Sequence, residues 1–150
     1  MSGHLRRDPI DAATLASAVL SPARGAVVTF VGIVRDHHGG RAVARLEYSA
    51  YEPMADAECA RILAEAAERW PVTARAEHRL GTLAVGEAAV VVAVAGAHRA
   101  EAFEACSWII EEVKGRVPIW KREEYADGTV AWVDPTATGG TVPGSPAVTQ

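Results

Sequence analysis

Two lysines stand out in a chain that otherwise takes its positive charge from arginine. Lys114 and Lys121 lie seven residues apart, and the remaining 13 of the 15 basic residues are arginine. An arginine stays protonated, whereas a lysine in a desolvated site can lose its proton and act as a base or a nucleophile. The pair therefore predicts a reactive site, and chance survival in an arginine-rich composition is the alternative.

Further cations stand where predicted strands end. Arg35 follows a buried strand and precedes a glycine loop, and the His98-Arg99 pair stands where another buried strand gives way to a helix. Backbone N–H groups and the dipole at a helix N-terminus favour an anion, and arginine can bind one with two hydrogen bonds. These positions predict anion binding, while a capping or surface role remains open for His98-Arg99 and a solvated surface role for Arg122, beside Lys121.

Other reactive side chains point to no second chemistry. His37 and His38 lie in a predicted loop with no carboxylate or cysteine at metal-ligand spacing, so no metal site is predicted. His78 falls on the apolar side of a strand and is interpreted as a core histidine, and Cys59 and Cys106 as buried apolar residues. The remaining pattern favours a cationic site for an anionic small molecule or a carboxyl terminus, with chemistry on an acyl group.

The elements that must position these residues alternate between strands and helices. Helices are predicted over 9–20, from Pro53 to Trp70, and from about 100 to Gly115. Adjacent strands without an intervening helix favour an α+β fold with a mostly antiparallel sheet and two long helices. The strands are predicted at 26–34, 43–51, 72–80, 88–97, 119–125 and 129–133. Residues 1–134 form the predicted domain, and 135–150 a disordered tail.

Composition argues against several classes of function. The net charge of −4 disfavours a general nucleic-acid binder. The polar N-terminus has no apolar signal-peptide core, and no apolar run reaches the roughly 18–20 residues of a membrane span. Cytoplasmic location and no membrane association are therefore expected.

An ordered set of segments resembles the catalytic (large) subunit of molybdopterin synthase, the MoaE family. The most specific pieces are the His98-Arg99 pair and the run from Pro118 through Trp120 to Lys121. The resemblance spans about residues 25–133 and rests on segments 25–35, 46–51, 54, 78–81, 85–87, 97–99, 102–105, 114, 117–123 and 128–132. It implies an α/β-hammerhead type of fold and a homodimer within a heterotetramer. It also implies a small ubiquitin-like sulfur-carrier partner with a Gly-Gly thiocarboxylate terminus, and neither a metal nor a bound cofactor.

The resemblance also assigns roles to the residues singled out above. It implies sulfur transfer to cyclic pyranopterin monophosphate, with Lys114 as the central catalytic lysine and Lys121 as the second. The substrate-binding set that it implies is Ile33, Val34, Arg35, His98, Arg99, Lys114, Lys121, Arg122 and Glu123. The alternative is a non-catalytic module that binds a ubiquitin-like tail and has no need of a lysine at position 114.

Overall fold

The computed structural model describes residues 3–133, which hold three helices and nine strands. The helices are α1 (Ala12–Ala18), α2 (Glu52–Arg69) and α3 (Arg99–Arg116). The strands are β1 (Leu5–Arg6), β2 (Ala26–Ile33), β3 (His37–His38), β4 (Arg41–Ala50), β5 (Val72–Arg79), β6 (Gly81–Ala84), β7 (Ala88–Gly96), β8 (Ile119–Tyr125) and β9 (Val130–Val133). The predicted tail at 135–150 lies outside the described residues.

The first sheet is ordered β1-β5-β7-β2 and is covered on both faces. Helices α2 and α3 pack on one face through Ile62 and Ile109, which join the core around Val92. Helix α1 packs on the opposite face through Leu15, against Val91 and its neighbours. Central strand β7 is buried along nearly its whole length because both of its faces are covered, as its continuous apolar run predicts.

The second sheet carries strand β8, on which Lys121 lies. Its order is β3-β4-β8-β9, and β6 pairs with the part of β4 that β3 does not pair with. Strands β4 and β8 run antiparallel with Tyr48 opposite Lys121. Val34, Leu46, Leu83 and Ala89 form an apolar cluster that joins the second sheet to the ends of β2 and β7. The end of β2, which leads to Arg35, is thus fixed against the second sheet.

The α+β class, the mostly antiparallel pairing and the two long helices are confirmed, since α2 and α3 have 18 residues each. Helix α1 is shorter than predicted because the Asp11 side chain caps it and accepts hydrogen bonds from the N–H groups of Ala13 and Thr14. Strands β1, β3 and β6 were not predicted, since two to four residues leave too little periodicity to detect. No helix in residues 3–133 is long and apolar enough to cross a membrane.

Candidate active site

Strand β8 presents Lys121 and Glu123 on its inner face. Alternation along a strand puts Lys121, Glu123 and Tyr125 on one side and Arg122 on the other. Glu123 is buried and Lys121 is half-buried. Arg122, which the resemblance includes in the substrate-binding set, has its guanidinium 3.9 Å from the Glu124 carboxylate on the outer face. One side of β8 therefore holds the buried part of the site.

The charges around Lys121 place a cationic cluster at this end of the molecule. Burial lowers the pKa of Lys121, the Glu123 carboxylate opposes this shift, and the charges of Lys114 and Arg35 lower the pKa further. Lys114 is exposed near the end of α3, and Arg35 is exposed just after β2. The lysine pair and Arg35 are thus close enough to interact, as a shared anion site requires.

Tyr48 and His78 form an uncharged wall beside the lysines. Their rings meet edge to face, with centroids 4.7 Å apart. Burial and the nearby Glu123 raise the pKa of Tyr48 to about 12. Burial lowers the pKa of His78 to about 4; a hydrogen bond from its Nδ1–H to the Arg79 carbonyl opposes this, and the Lys114 charge adds to it. Both rings are therefore neutral near pH 7, and His78 is half-buried against Tyr48.

Glu123 is held by a histidine that lies far away in the sequence. The Nδ1 of His38 lies 2.7 Å and 2.9 Å from the two carboxylate oxygens, and the Tyr125 hydroxyl lies 3.4 Å from one of them. His38 and Glu123 are both buried. The sequence analysis missed this contact, because His38 stands in a predicted loop and no spacing pattern connects residues 85 positions apart.

Backbone hydrogen bonds to Gly86 and Glu87 fix the position of the chain just before Arg35. The Val34 N–H donates to the Glu87 carbonyl at 3.0 Å, and the Val34 carbonyl accepts from the Gly86 N–H at 2.9 Å. Val34 is buried, whereas Ile33 and Arg35 are exposed. The backbone of Val34 therefore anchors the chain and presents Arg35 beside the lysines.

His98 and Arg99 lie at the opposite end of α3 from Lys114. Glu101 caps this end, and its carboxylate accepts from the His98 N–H at 2.7 Å. At 1.5 Å rise per residue, Arg99 and Lys114 are about 22 Å apart along the helix. A single chain therefore brings Arg35, Lys114 and Lys121 together but not the His98-Arg99 pair. Both of the latter side chains are exposed.

The arrangement near Lys121 supports two kinds of chemistry. Exposed Lys114 and Arg35 offer positive charge to an anionic ligand, and the lowered pKa of Lys121 makes its ammonium a readier proton donor than an ordinary lysine. In residues 3–133, no group of three or more histidine, cysteine, aspartate or glutamate side chains is arranged to hold a metal ion.

Known proteins share both the sequence and the fold. A family model described as MoaE protein matches residues 5–116. The chain is 49% identical over 117 residues to the molybdopterin synthase catalytic subunit of Pyrococcus abyssi. This match covers 77% of this chain and 78% of that relative. It is 45% identical over 125 residues to the protein of the same name from Bacillus subtilis. This match covers 83% of this chain and 80% of that relative.

A solved structure extends this similarity to three dimensions. The X-ray crystal structure of molybdopterin synthase from Staphylococcus aureus matches with a TM-score of 0.82 and 37% sequence identity. The match covers 86% of this chain and 94% of that chain. The similarity therefore includes both sheets and the helices that place the lysines.

Proposed function

The chain belongs to the MoaE protein family, and from that premise we propose that it is the catalytic subunit of a molybdopterin synthase. It is a sulfur-transferring enzyme of molybdenum cofactor biosynthesis. The proposed sulfur donor is the C-terminal thiocarboxylate of a small ubiquitin-like carrier, and the acceptor is cyclic pyranopterin monophosphate. Two transfers form the dithiolene of molybdopterin.

One observation carries the assignment of the reaction centre. Lys121 is half-buried with a lowered pKa, and the charges of Arg35 and of Lys114, the only other lysine of the chain, both act on it at one end of the fold. Both substrates are anions, so a cluster of three cations suits their encounter. A lysine among them that releases its proton more readily than usual suits the proton transfers that accompany sulfur transfer.

Each residue has a role that follows from its environment. The exposed ammonium of Lys114 offsets negative charge as the thiocarboxylate sulfur attacks the pterin. Lys121 moves protons, because burial makes its ammonium easier to deprotonate. Arg35 binds the substrate phosphate from its anchored position after β2. Each sulfur displaces an oxygen substituent of the pterin side chain, and water cleaves the resulting carrier thioester, so that the sulfur stays on the pterin and the carrier leaves as a carboxylate.

We propose that a second copy of the chain supplies His98 and Arg99 to this site. Strand β2 is the last strand of the first sheet in the described residues, and Val27, Val31 and Ile33 on one of its faces are 36%, 37% and 49% exposed. Exposed apolar side chains along a strand with one unpaired edge are typical of an interface.

A two-fold axis beside β2 would run the two copies of the strand antiparallel. The start of β2 pairs with Gly96, just before His98, and its end leads to Arg35. Antiparallel copies therefore bring the His98-Arg99 pair of one chain to the Arg35 end of the other. The proposed assembly is a homodimer with one carrier on each chain, a heterotetramer in the cytoplasm.

A single-turnover assay separates this function from that of a binding module. The protein is mixed with a thiocarboxylated ubiquitin-like carrier and cyclic pyranopterin monophosphate, and dithiolene product and carrier binding are both measured. The proposal expects product from the native chain, and carrier binding without product from Lys114→Ala. Carrier binding without product from the native chain at every stoichiometry would replace the enzyme by a binding module.

A further inference from the structure

The buried contact between His38 and Glu123 has a role that the proposed reaction does not yet use. Both side chains are 3% exposed, and the imidazole lies within hydrogen-bonding distance of both carboxylate oxygens. A buried carboxylate without a partner is costly. Here the partner is a histidine at the tip of the two-strand hairpin of β3 and β4. The contact therefore fixes the position of Glu123 on the inner face of β8.

Glu123 is the anion nearest to the reactive lysine on its own strand. It lies two residues from Lys121 on the same face of β8, and its carboxylate favours the protonated form of Lys121. The other groups facing Lys121 are Lys114 and Arg35, whose charges oppose protonation, and neutral Tyr48 from the facing strand.

Groups other than Lys121 also surround Glu123. Tyr125 approaches one carboxylate oxygen, and Arg41 stacks over the Tyr125 ring at 3.8 Å, with Asp127 close by. Among residues 3–133, His38 is the group whose ring nitrogen contacts both oxygens of the carboxylate. It is therefore placed to influence how much of the Glu123 charge acts on Lys121.

We propose that His38 is a positioning residue, which holds the Glu123 carboxylate beside Lys121 and thereby sets how readily Lys121 releases its proton. The inference rests on the proposed function, in which Lys121 moves protons during sulfur transfer. An N–H donated by His38 partly neutralises the carboxylate and keeps it from moving closer to the ammonium. Without that bond, the freed carboxylate stabilises the Lys121 ammonium more strongly, whatever the charge of the imidazole.

The small number of lysines makes a direct test practical. Reductive methylation with ¹³C-formaldehyde labels the N-terminus and two side chains, and Lys114→Arg and Lys121→Arg assign the signals. The pH titration of each lysine is then followed by NMR in the native chain, in His38→Leu and in the matched control His37→Leu. His37 is exposed and contacts Asp36 at 2.8 Å, away from Glu123.

We expect the acid dissociation constant of Lys121 to fall by about threefold or more in His38→Leu and to stay unchanged in His37→Leu. The effect of His38→Leu should vanish when Glu123→Gln is also present, because it acts through that carboxylate. Coincident Lys121 titrations in the native chain and folded His38→Leu would overturn the proposal. If His38→Leu does not fold, His38→Asn, whose shorter amide cannot hold both oxygens, decides by the same criterion.

The titration and the turnover assay fail independently. An unchanged Lys121 titration together with product formation would reject the role of His38 and leave the sulfur transfer standing. A shifted titration without any product from the native chain would leave the positioning role and reject the reaction. In an active enzyme, the rising limb of the rate against pH should move to higher pH in His38→Leu, as the Lys121 titration does.

Discussion

Lys114 and Lys121 share the proposed site but differ in their surroundings. Lys114 is exposed at the end of a helix, where its charge is available to an incoming anion. Lys121 is half-buried on a strand, between a carboxylate that favours its protonation and two cations that oppose it. An exposed charge and an easily deprotonated amine suit binding and proton transfer, respectively, and these two tasks need different environments.

The low pKa of His78 makes a prediction for stability against pH. A folded-state pKa of about 4, below the ordinary 6.5, means that the unfolded chain binds the proton more readily. The stabilisation is complete above about pH 6.5 and is lost as the pH falls toward 4. When the pH is lowered from 7 to 5, the titration of His78 should reduce the free energy of unfolding by about 2 kcal/mol.

Urea denaturation of the native chain and of His78→Phe at pH 7 and pH 5 measures this contribution. His78→Phe keeps a ring against Tyr48 and removes the titration, so its stability should fall less between the two pH values. His37→Phe, at an exposed histidine, should behave as the native chain does. An equal loss in all three proteins would show that His78 is not the group responsible.

At the residue scale, the sequence indicates which residues are candidates for chemistry better than it indicates the side chains that contact them. The lysine pair is visible from composition because arginine is used almost everywhere else. The wall of Tyr48 and His78 and the contact from His38 to Glu123 are not visible. These contacts depend on strand register and on a hairpin tip, which no local pattern in the sequence specifies.

At the scale of elements, a charge cluster fastens the end of α3 that carries Lys114. Arg116 contacts Glu58 and Glu65 of α2 at 2.9 Å and 2.7 Å, and Glu112 one helical turn earlier at 3.1 Å. Hydrogen bonds to Glu65 and the other two carboxylates hold the pKa of Arg116 above its usual range. The cluster joins the two long helices next to the reaction centre.

Arg116→Gln should lower the free energy of unfolding by about 1–2 kcal/mol, because three carboxylates lose a shared partner and repel one another. Chemical denaturation at low and high salt measures the change, and the difference should shrink in high salt. Arg61→Gln is the matched control, since Arg61 makes one exposed contact with Glu58. Equal losses from the two substitutions would argue against a cluster that acts as a unit.

Long, regular elements were predicted well, and short ones were not. Pro53 and Pro71 bracket α2, and the apolar run of β7 correctly indicates cover on both faces. Strands β1, β3 and β6 exist because longer strands offer them a partner: β1 pairs with β5, and β3 and β6 with β4. Pairing with a distant segment is a tertiary effect, which local periodicity does not contain.

At the scale of the whole molecule, the predicted binding residues lie at two ends of one chain. The lysines and Arg35 are at one end, and His98 and Arg99 are about 22 Å away along α3. The two-chain site proposed above reconciles this separation with a single reaction. The sequence could not reveal it, because a residue list contains no distances.

Mixing two inactive variants tests whether the site is shared between chains. Lys114→Ala and Arg99→Ala damage opposite ends, so a mixed dimer retains one intact site. Random exchange of chains should restore about a quarter of the native rate.

The matched control mixes Lys114→Ala with Lys121→Ala. Both substitutions damage the same end, so no intact site can form and no activity should return. Mixed dimers of Lys114→Ala and Arg99→Ala that form but remain inactive would show that one chain holds the whole site.

The most direct test of the central claim follows the sulfur itself. A carrier whose terminal thiocarboxylate contains ³⁴S is mixed with the native chain and cyclic pyranopterin monophosphate. The masses of the pterin product and of the carrier are then measured by mass spectrometry. The account predicts ³⁴S in the dithiolene and a carboxylate on the carrier, and neither change with Lys114→Ala. Sulfur that stays on the carrier with the native chain, or that moves equally well with Lys114→Ala, would contradict it.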